Sequence, residues 1–140
     1  MQSSLIPNPT KYDLWFLPLG GTGEIGMNMN LYGHDGQWLM VDCGMGFDHS
    51  TPVERRVCAN PNFIEQQKDR LQAIIITHAH EDHLGAILNL WPRLQAPIYA
   101  SPFAAELLLN KLAQVTWGHA VPIHSIEFQV PYFLGDFEVT

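Results

Sequence analysis

The sequence predicts a domain of the α/β or α+β class, in which a mixed sheet is flanked by helices. Three observations carry this prediction. Strand patterns dominate residues 12–43, a continuous apolar run occupies residues 72–77, and helical and strand patterns alternate after it. A run of strands followed by alternating strands and helices is typical of this class. The chain has 140 residues, the length of one domain, and its sequence contains no repeat.

The first part of the chain has the pattern of successive strands joined by turns. Residues 1–11 are polar, contain two prolines and are predicted to form a loose lead-in. The aromatic and aliphatic residues 12–19 predict a strand. After a glycine-rich turn, residues 27–32 alternate apolar and polar side chains, as a half-buried strand does. The turn at 33–36 then leads into a further strand over residues 37–43.

The middle of the chain is predicted to contain a loop, a helix and a buried strand. Residues 45–62 have the pattern of a long irregular loop, and residues 61–71 that of a short helix. The apolar run 72–77 predicts a strand that is covered on both faces. A helix is then expected over residues 84–91, and Pro92 is expected to end it.

The last part of the chain is predicted to alternate between strands and one longer helix. Residues 97–100 predict a short strand. Ser101 can cap a helix that has Pro102 at its first position and runs to about residue 114. Residues 121–130 and 133–140 predict two strands, joined by a turn at Pro131 or Gly135.

Composition limits the classes of function that the chain can have. Apolar residues make up 46% and charged residues 15%, a balance that fits a half-buried part of a larger body. The formal charge of −7 gives no indication of a basic face that would attract phosphates, so this segment is not expected to supply electrostatic attraction for a nucleic acid. Two cysteines without a framework spacing indicate a reducing compartment. The sequence shows no signal peptide and no apolar run long enough to span a membrane, so a cytoplasmic location is expected.

The glycine-rich turn fits the dinucleotide-binding fingerprint G-x-G-x-x-G over residues 21–26, and Asp42 follows at the distance of a ribose-binding acid. That fingerprint requires a helix directly after the glycines, because the pyrophosphate lies at the helix N-terminus. Residues 27–36 contain two asparagines, two glycines and a turn pattern, which leaves no room for a packed helix. The turn is therefore interpreted as a tight connection between antiparallel strands.

The run THAHEDHLG at residues 77–85 contains the residues that indicate chemistry. His78 and His80 follow a buried strand at positions i and i+2, so both imidazoles can point the same way. Asp82 and His83 come where a helix is expected to begin and can face a neighbouring point. Imidazole and carboxylate suit zinc, and also manganese or iron. A solvated loop has no physical need for three imidazoles, whereas Glu81 is interpreted as a solvated side chain.

Two pairs of donors, spaced two residues apart, indicate two metals. Metal ions about 3.5–4 Å apart can activate one water and stabilise both ends of an in-line displacement. The sequence therefore predicts a hydrolytic metal site directly after the buried strand.

At this motif the sequence resembles the metallo-β-lactamase superfamily, whose hallmark is H-x-H-x-D-H after a hydrophobic strand. Three segments, LPLGGTGEIGMN at 17–28, VDCGMGF at 41–47 and THAHEDHLG at 77–85, resemble ribonuclease J-type proteins of the β-CASP group. The resemblance implies an αββα sandwich, of which residues 12–140 are expected to form the N-terminal half. It also implies RNA as the substrate and two zinc ions as cofactors.

The resemblance implies a role for each residue of the motif. His78 and His80 match ligands of the first metal, and Asp82 and His83 match ligands of the second. Asp82 and Asp42 match the catalytic acids: Asp82 also helps to orient the attacking water, and Asp42 holds the site together through hydrogen bonds. The glycines of the 20–26 turn match a segment that passes close to the site.

The chain departs from the family pattern after this motif. The family has a third histidine, then a bridging aspartate and a final histidine, and residues 134–140 resemble the strand just before that third histidine. Residues 12–140 are therefore expected to be a partial domain without a β-CASP domain, with low zinc occupancy and no activity as an isolated chain.

The other histidines and the cysteine beside Asp42 have plainer interpretations. His124 superficially resembles the third-histidine motif but precedes the strand that it should follow, and is interpreted as an ordinary strand histidine. Three further histidines, His34, His49 and His119, are interpreted as solvated. Cys43 adjoins Asp42, but strand alternation indicates a packed thiol rather than a ligand.

Three hypotheses follow for function. The first is a ribonuclease J-type phosphodiesterase, the second a small-molecule hydrolase such as a glyoxalase II-like thioesterase, and the third a non-catalytic fold fragment. One half of a sandwich would leave an apolar sheet face uncovered. A homodimer is expected to cover it, unless the hairpin within residues 121–140 folds over that face.

Overall fold

The computed structural model describes residues 6–140, so residues 1–5 of the expected lead-in lie outside the described part. Residues 6–14 contain no helix or strand, but backbone hydrogen bonds join Pro9 and Thr10 to the turn at residues 35–36. The described strands are β1 (Trp15–Gly20), β2 (Met29–His34), β3 (Gln37–Val41), β4 (Met45–Asp48), β5 (Arg55–Cys58), β6 (Leu71–Ile76), β7 (Ile98–Ala100), β8 (Ile123–Ser125), β9 (Tyr132–Leu134) and β10 (Phe137–Val139). The α-helices are α1 (Asn62–Glu65), α2 (Glu81–Leu84), α3 (Ile87–Leu94) and α4 (Pro102–Leu112), with 3-10 turns at Lys68–Arg70 and Gly118–Ala120.

The principal sheet has six strands in the order β1-β2-β3-β6-β7-β8. The first three strands are antiparallel neighbours, whereas β3, β6, β7 and β8 run parallel. This is the mixed sheet with flanking helices that the sequence predicts. Parallel neighbours end at the same edge of a sheet, so the residues that follow β3 and β6 meet there.

Residues 45–62 are not the irregular loop that was predicted. They contain the antiparallel pair β4–β5, in which Met45 lies opposite Cys58 and Asp48 opposite Arg55. Arg55 and Arg56 are exposed, so the segment lacks the regular alternation by which a strand is identified in sequence. The pair is short, and it contacts α2 both through β4 and through the ion pair of Arg56 with Glu81, so tertiary contacts support it where the sequence pattern is weak.

Helix α3 does not end before Pro92, as the sequence suggested, but continues through it to Leu94. Four side chains bury one face of this helix: Ile87, Leu90, Trp91 and Leu94. The burial of this face outweighs the cost of the missing proline N–H. The helix ends at Gln95, which adopts a left-handed conformation and donates its N–H to the Trp91 carbonyl.

The C-terminal strands also differ from the prediction in their pairing. Residues 121–130 contribute only β8, which joins the principal sheet parallel to β7. The hairpin is instead β9–β10, and its turn is at Gly135, one of the two turn positions predicted. Helix α4 matches its prediction closely: it begins at Pro102, and the Ser101 hydroxyl caps it by accepting the Ala104 N–H.

The two faces of the principal sheet are covered unequally. On one face, Leu31, Met40, Ile74 and Ile98 pack in the main core with buried side chains of α3 and α4. On the other face, a smaller cluster joins Leu39, Ala73 and Ile75 of the sheet to Leu134 of the β9–β10 hairpin. Two hydrogen bonds between Gln37 and Asp136 attach the hairpin turn to β3.

The hairpin covers only the middle of this second face. Leu14, Phe16 and Tyr32 remain exposed on one side of it, and Phe128 on the other. The chain thus closes part of its own apolar face, which was the alternative to a homodimer. Among the described residues, no helix has both the length and the apolar composition needed to cross a bilayer.

If the hairpin contributes to the core, Leu134→Ala should lower the free energy of unfolding by about 2 kcal/mol, the lower end for a buried leucine. Leu109→Ala, on the exposed side of α4, is the matched control and should change it by less than about 0.5 kcal/mol. Urea denaturation followed by tryptophan fluorescence measures both. Equal, small losses would show that the hairpin does not pack on the sheet.

Candidate metal centre

The predicted site residues meet at the edge of the sheet where β3 and β6 end. These strands are parallel neighbours, with Val41 beside Ile75. Asp42 directly follows β3, and Thr77 directly follows β6. The chain then passes through His78 and His80 into α2, which carries Asp82 and His83. The parallel pairing therefore brings together residues that lie more than thirty positions apart.

Asp42 lies at the centre of this arrangement, with only 4% of its surface exposed. Its Oδ1 accepts the Thr77 N–H at 2.8 Å, and the Thr77 hydroxyl lies 3.0 Å from Oδ1 and 2.9 Å from Oδ2. The His83 Nδ1 lies 2.6 Å from Oδ2. A buried carboxylate is stable only when donors surround it, and these contacts supply them.

The backbone of Asp42 is left-handed, with φ of 66°. Aspartate tolerates this conformation better than most residues. The Asp42 N–H still donates to the Ile75 carbonyl at 2.7 Å, so the chain leaves β3 while it is attached to β6. The left-handed turn takes the Asp42 carboxylate out of the strand direction and towards Thr77 and His83.

The three histidines of the motif form one cluster. The ring centroids of His78 and His83 are 4.0 Å apart, and those of His78 and His80 are 4.6 Å apart. His78 and His80 are exposed, and His83 is half-buried. The structure thus brings together the imidazoles that the sequence singled out, at the surface of the domain.

The orientation of His83 follows from its contact with Asp42. A carboxylate can only accept, so the His83 Nδ1 carries a proton, and in a neutral imidazole the lone pair is then on Nε2. That Nε2 faces the Asn28 amide nitrogen at 3.4 Å and an Asp82 carboxylate oxygen at 3.5 Å. The second nitrogen of His83 is therefore directed towards the remaining polar groups of the site.

A seam of backbone hydrogen bonds holds the motif against two earlier loops. The Cys43 N–H donates to the His83 carbonyl at 2.8 Å, and the Ala86 N–H donates to the Cys43 carbonyl at 3.0 Å. The Asp82 carbonyl accepts from both the backbone and the side-chain N–H groups of Asn28, at 3.0 and 3.1 Å. The motif is thus positioned chiefly by main-chain contacts.

Glycine is required at Gly44, where this seam is tightest. A Cβ at Gly44 would lie 1.6 Å from the Asp82 carbonyl oxygen, so only glycine lets the two backbones approach this closely. At Gly21 a Cβ would lie 2.2 Å from the Asn28 side-chain oxygen. The glycine-rich turn thus passes close to the site through Asn28.

Glu81 is not the solvated side chain that the sequence suggested. One of its oxygens lies 2.5 Å from the Arg56 guanidinium and the other 3.1 Å from the Lys111 ammonium. These ion pairs join α2 to β5 and to α4. Two features that allow these ion pairs were not predicted. One is the strand β5, which carries Arg56, and the other is the absence of a side chain at Gly85, which leaves space for the Glu81 carboxylate.

The remaining candidates lie outside the cluster. Cys43 is fully buried, and burial raises the pKa of its thiol, so it is the packed, neutral side chain that was predicted. His124 is an exposed residue of β8 whose ring stacks on Tyr99 at 4.7 Å. The His34 Nδ1 lies 2.7 Å from the Asp13 carbonyl oxygen, so His34 is a half-buried turn residue rather than a solvated one.

The donor chemistry of the cluster fits a divalent metal, because imidazole nitrogens and a carboxylate converge on an accessible surface. Within residues 6–140, however, no group of three histidine, cysteine or acidic side chains is arranged so that it could coordinate one metal ion. The His78 ring lies closer to that of His83, at 4.0 Å, than to that of His80, at 4.6 Å, so the structure by itself does not divide the donors into the two expected pairs. A catalytic zinc normally has three protein ligands.

A cavity opens beside Asp82. Phe47 and His49 line it from the β4 side, and Ile25 and Gly26 line it from the glycine-rich turn. Phe47 is 49% exposed and Ile25 98% exposed, so apolar side chains border the site without being part of the core. These exposed apolar side chains can contact a ligand that binds beside Asp82.

Comparison with known proteins agrees with this geometry. The family model described as the metallo-beta-lactamase superfamily matches residues 23–140. Ribonuclease J of Sinorhizobium meliloti is 50% identical over 116 residues, which are 79% of this chain and 21% of that protein. Ribonuclease J of Helicobacter pylori is 38% identical over 135 residues, which are 91% of this chain and 19% of that protein. The chain thus spans about a fifth of these relatives.

Solved structures show the same fold. The metallo-beta-lactamase fold protein YhfI of Bacillus subtilis superposes with a TM-score of 0.59 at 19% identity, over 88% of this chain and 49% of that one. MEM-A1, a subclass B3 metallo-beta-lactamase from a soil metagenome library, superposes with a TM-score of 0.57 at 17% identity, over 94% of this chain and 50% of that one. With the family model, these matches show that the chain belongs to the metallo-β-lactamase superfamily and resembles its ribonuclease J-type members.

Proposed function

We propose that this chain supplies the first half of a two-zinc phosphodiesterase site that hydrolyses RNA. The observation that carries the proposal is the convergence of three imidazoles on a surface backed by the buried Asp42 carboxylate. The named relatives are ribonucleases J, which supports RNA as the substrate. Because the chain spans only a fifth of these relatives, we propose that residues outside the matched region supply the remaining ligands.

The proposed roles follow the donor pairs. His78 and His80 hold the first metal, and Asp82 and His83 hold the second. Asp42 orients His83 by accepting its Nδ1 proton at 2.6 Å, as an outer carboxylate does for a metal-binding imidazole. Bound zinc would supply Lewis acidity at the scissile phosphate and activate water there. Asp82, at the edge of the cavity, is placed to orient that water.

The surroundings of Asp82 support a nucleic-acid substrate. Phe47 and Ile25 expose apolar surface to the cavity, and a nucleobase can stack on such surface whatever its identity. The net charge of −7 means that this chain contributes little long-range attraction for phosphates. Affinity in this part of the protein would therefore come from the metals and from stacking. A ribonuclease acting on cellular RNA would work in the cytoplasm.

We also propose that the isolated chain forms a homodimer through the part of the sheet face that the hairpin leaves open. Leu14, Phe16 and Tyr32 form a contiguous exposed patch there, with the Phe16 and Tyr32 rings 5.3 Å apart. Apolar side chains that are exposed in a group favour association, because each Å² removed from water contributes about 25 cal/mol.

The isolated chain should retain less than one zinc ion after dialysis against metal-free buffer. Two protein donors leave each ion mostly hydrated, which does not hold zinc tightly. Elemental analysis of the dialysed protein measures the ratio, with the His78→Ala/His80→Ala variant as the baseline. One or more zinc ions per chain, retained through dialysis, would contradict the view that the described donors are only pairs.

A protein that extends this chain to the length of its ribonuclease J relatives should cleave single-stranded RNA in a metal-dependent reaction. His78→Ala/His80→Ala should reduce kcat/KM by more than about 100-fold, because both donors of one metal are lost. The isolated chain should show no cleavage. Full activity of the double variant would exclude the proposed site.

The Phe47→Ala variant tests the substrate class in the same assay. It should raise KM for RNA by about tenfold, the value of one weak stacking contact, and leave hydrolysis of a small phosphodiester reporter unchanged. Phe103→Ala, which removes an exposed ring from α4, is the control. An equal loss on both substrates would indicate a small-molecule hydrolase with no base contact at Phe47.

Light scattering of the isolated chain at micromolar concentration should give twice the monomer mass. Phe16→Glu should convert the dimer to a monomer, because it places a charge in the proposed contact. Ile25→Glu is the control, since Ile25 is even more exposed but lines the metal-site cavity. A monomer in the unmodified chain would show that the hairpin alone covers enough of the sheet face.

A further inference from the structure

We infer that Thr77 is a positioning residue whose hydroxyl fixes the ring tautomer of His78, so that the His78 Nε2 is left free for a metal. The inference rests on the proposed function in one respect only, which is the use of that nitrogen as a ligand. The hydrogen-bond chain itself is a property of the protein without metal.

The first step is the proton of the Thr77 hydroxyl. A threonine hydroxyl has one proton to donate and two lone pairs that accept. The Thr77 Oγ1 lies 3.0 Å from the Oδ1 and 2.9 Å from the Oδ2 of Asp42. The carboxylate also receives the Thr77 N–H and His83 Nδ1, so it is saturated with donors and gives none. The hydroxyl proton is therefore directed at Asp42.

The second step is the ring of His78. Its Nδ1 lies 2.9 Å from the same Thr77 Oγ1. Because the hydroxyl proton is already given to Asp42, the oxygen can only accept from this nitrogen. The His78 Nδ1 must then carry the proton, and in a neutral imidazole the Nε2 keeps the lone pair that a metal requires.

Asp42 thus governs two rings by different routes. It orients His83 directly and His78 through Thr77, and in both neutral rings the proton is then on Nδ1 and the lone pair on Nε2. A ring without such an outer partner exchanges tautomers and turns more freely. The loss of such a partner typically weakens metal binding by about 10–100-fold. Thr77, which is not itself a ligand, therefore sets how well His78 can serve as one.

The test is the tautomer of His78, read by ¹⁵N NMR of the metal-free chain with labelled histidine. The spectra are recorded at about pH 8, above the usual histidine pKa near 6.5. The unmodified chain and Thr77→Ser, which keeps the hydroxyl, should both show His78 protonated on Nδ1. Thr77→Val, which has nearly the same shape, should shift the ring towards the Nε2–H form. His124, outside the network, is the internal control and should not change.

The second measurement is a Co²⁺ titration, followed by absorption, of the protein extended to the length of its ribonuclease J relatives. Thr77→Val should weaken Co²⁺ binding at least tenfold, and Thr77→Ser by less than about threefold. A wild-type His78 protonated on Nε2, or an unchanged tautomer in Thr77→Val, would overturn the inference. If Thr77→Val does not fold, the tautomers of the unmodified chain and of Thr77→Ser decide the matter. If the tautomers behave as expected but no form of the extended protein binds Co²⁺, the proposed function fails and the role of Thr77 stands.

Discussion

The buried Asp42 carboxylate is the interaction on which the rest of the site depends. A carboxylate that is 4% exposed must be surrounded by donors, and here the donors come from two parts of the motif. The Thr77 backbone and hydroxyl bind it from the end of β6, and His83 binds it from α2. The buried charge therefore joins the end of β6 to α2, and it acts together with the main-chain hydrogen bonds that position the metal-binding segment.

Much of this site could be predicted from the sequence because its residues are close together in the chain. The run 77–85 contains every imidazole of the cluster, and the strand before it has an unmistakable apolar pattern. Asp42 approaches this run because β3 and β6 pair in parallel. The role of Asp42 at the site was expected only from the family resemblance. The ion pairs of Glu81 were missed, because Arg56 and Lys111 lie 25 or more positions away and follow no local pattern.

The fold was predicted where local patterns are strong, and was mistaken where tertiary contacts decide. The capped helix α4 and the buried strand β6 carry their signals in adjacent residues. The β4–β5 pair is held by its contacts with α2, and α3 continues through Pro92 because its buried face outweighs the lost hydrogen bond. Both features depend on neighbours that a reading along the chain does not reveal.

The close approach at Gly44 has a consequence for protein engineering. Because Gly44 and the Asp82 carbonyl meet backbone to backbone, this contact positions the metal-binding segment through its main chain, in addition to the contacts that Asp42 makes with Thr77 and His83. A side chain of the segment that does not contact Asp42, such as His80, can be replaced without loss of this main-chain contact. The same contact leaves no tolerance at its own position, since even alanine would force the two loops apart. A redesign of the metal-binding segment can therefore vary such side chains but must keep the glycine at position 44.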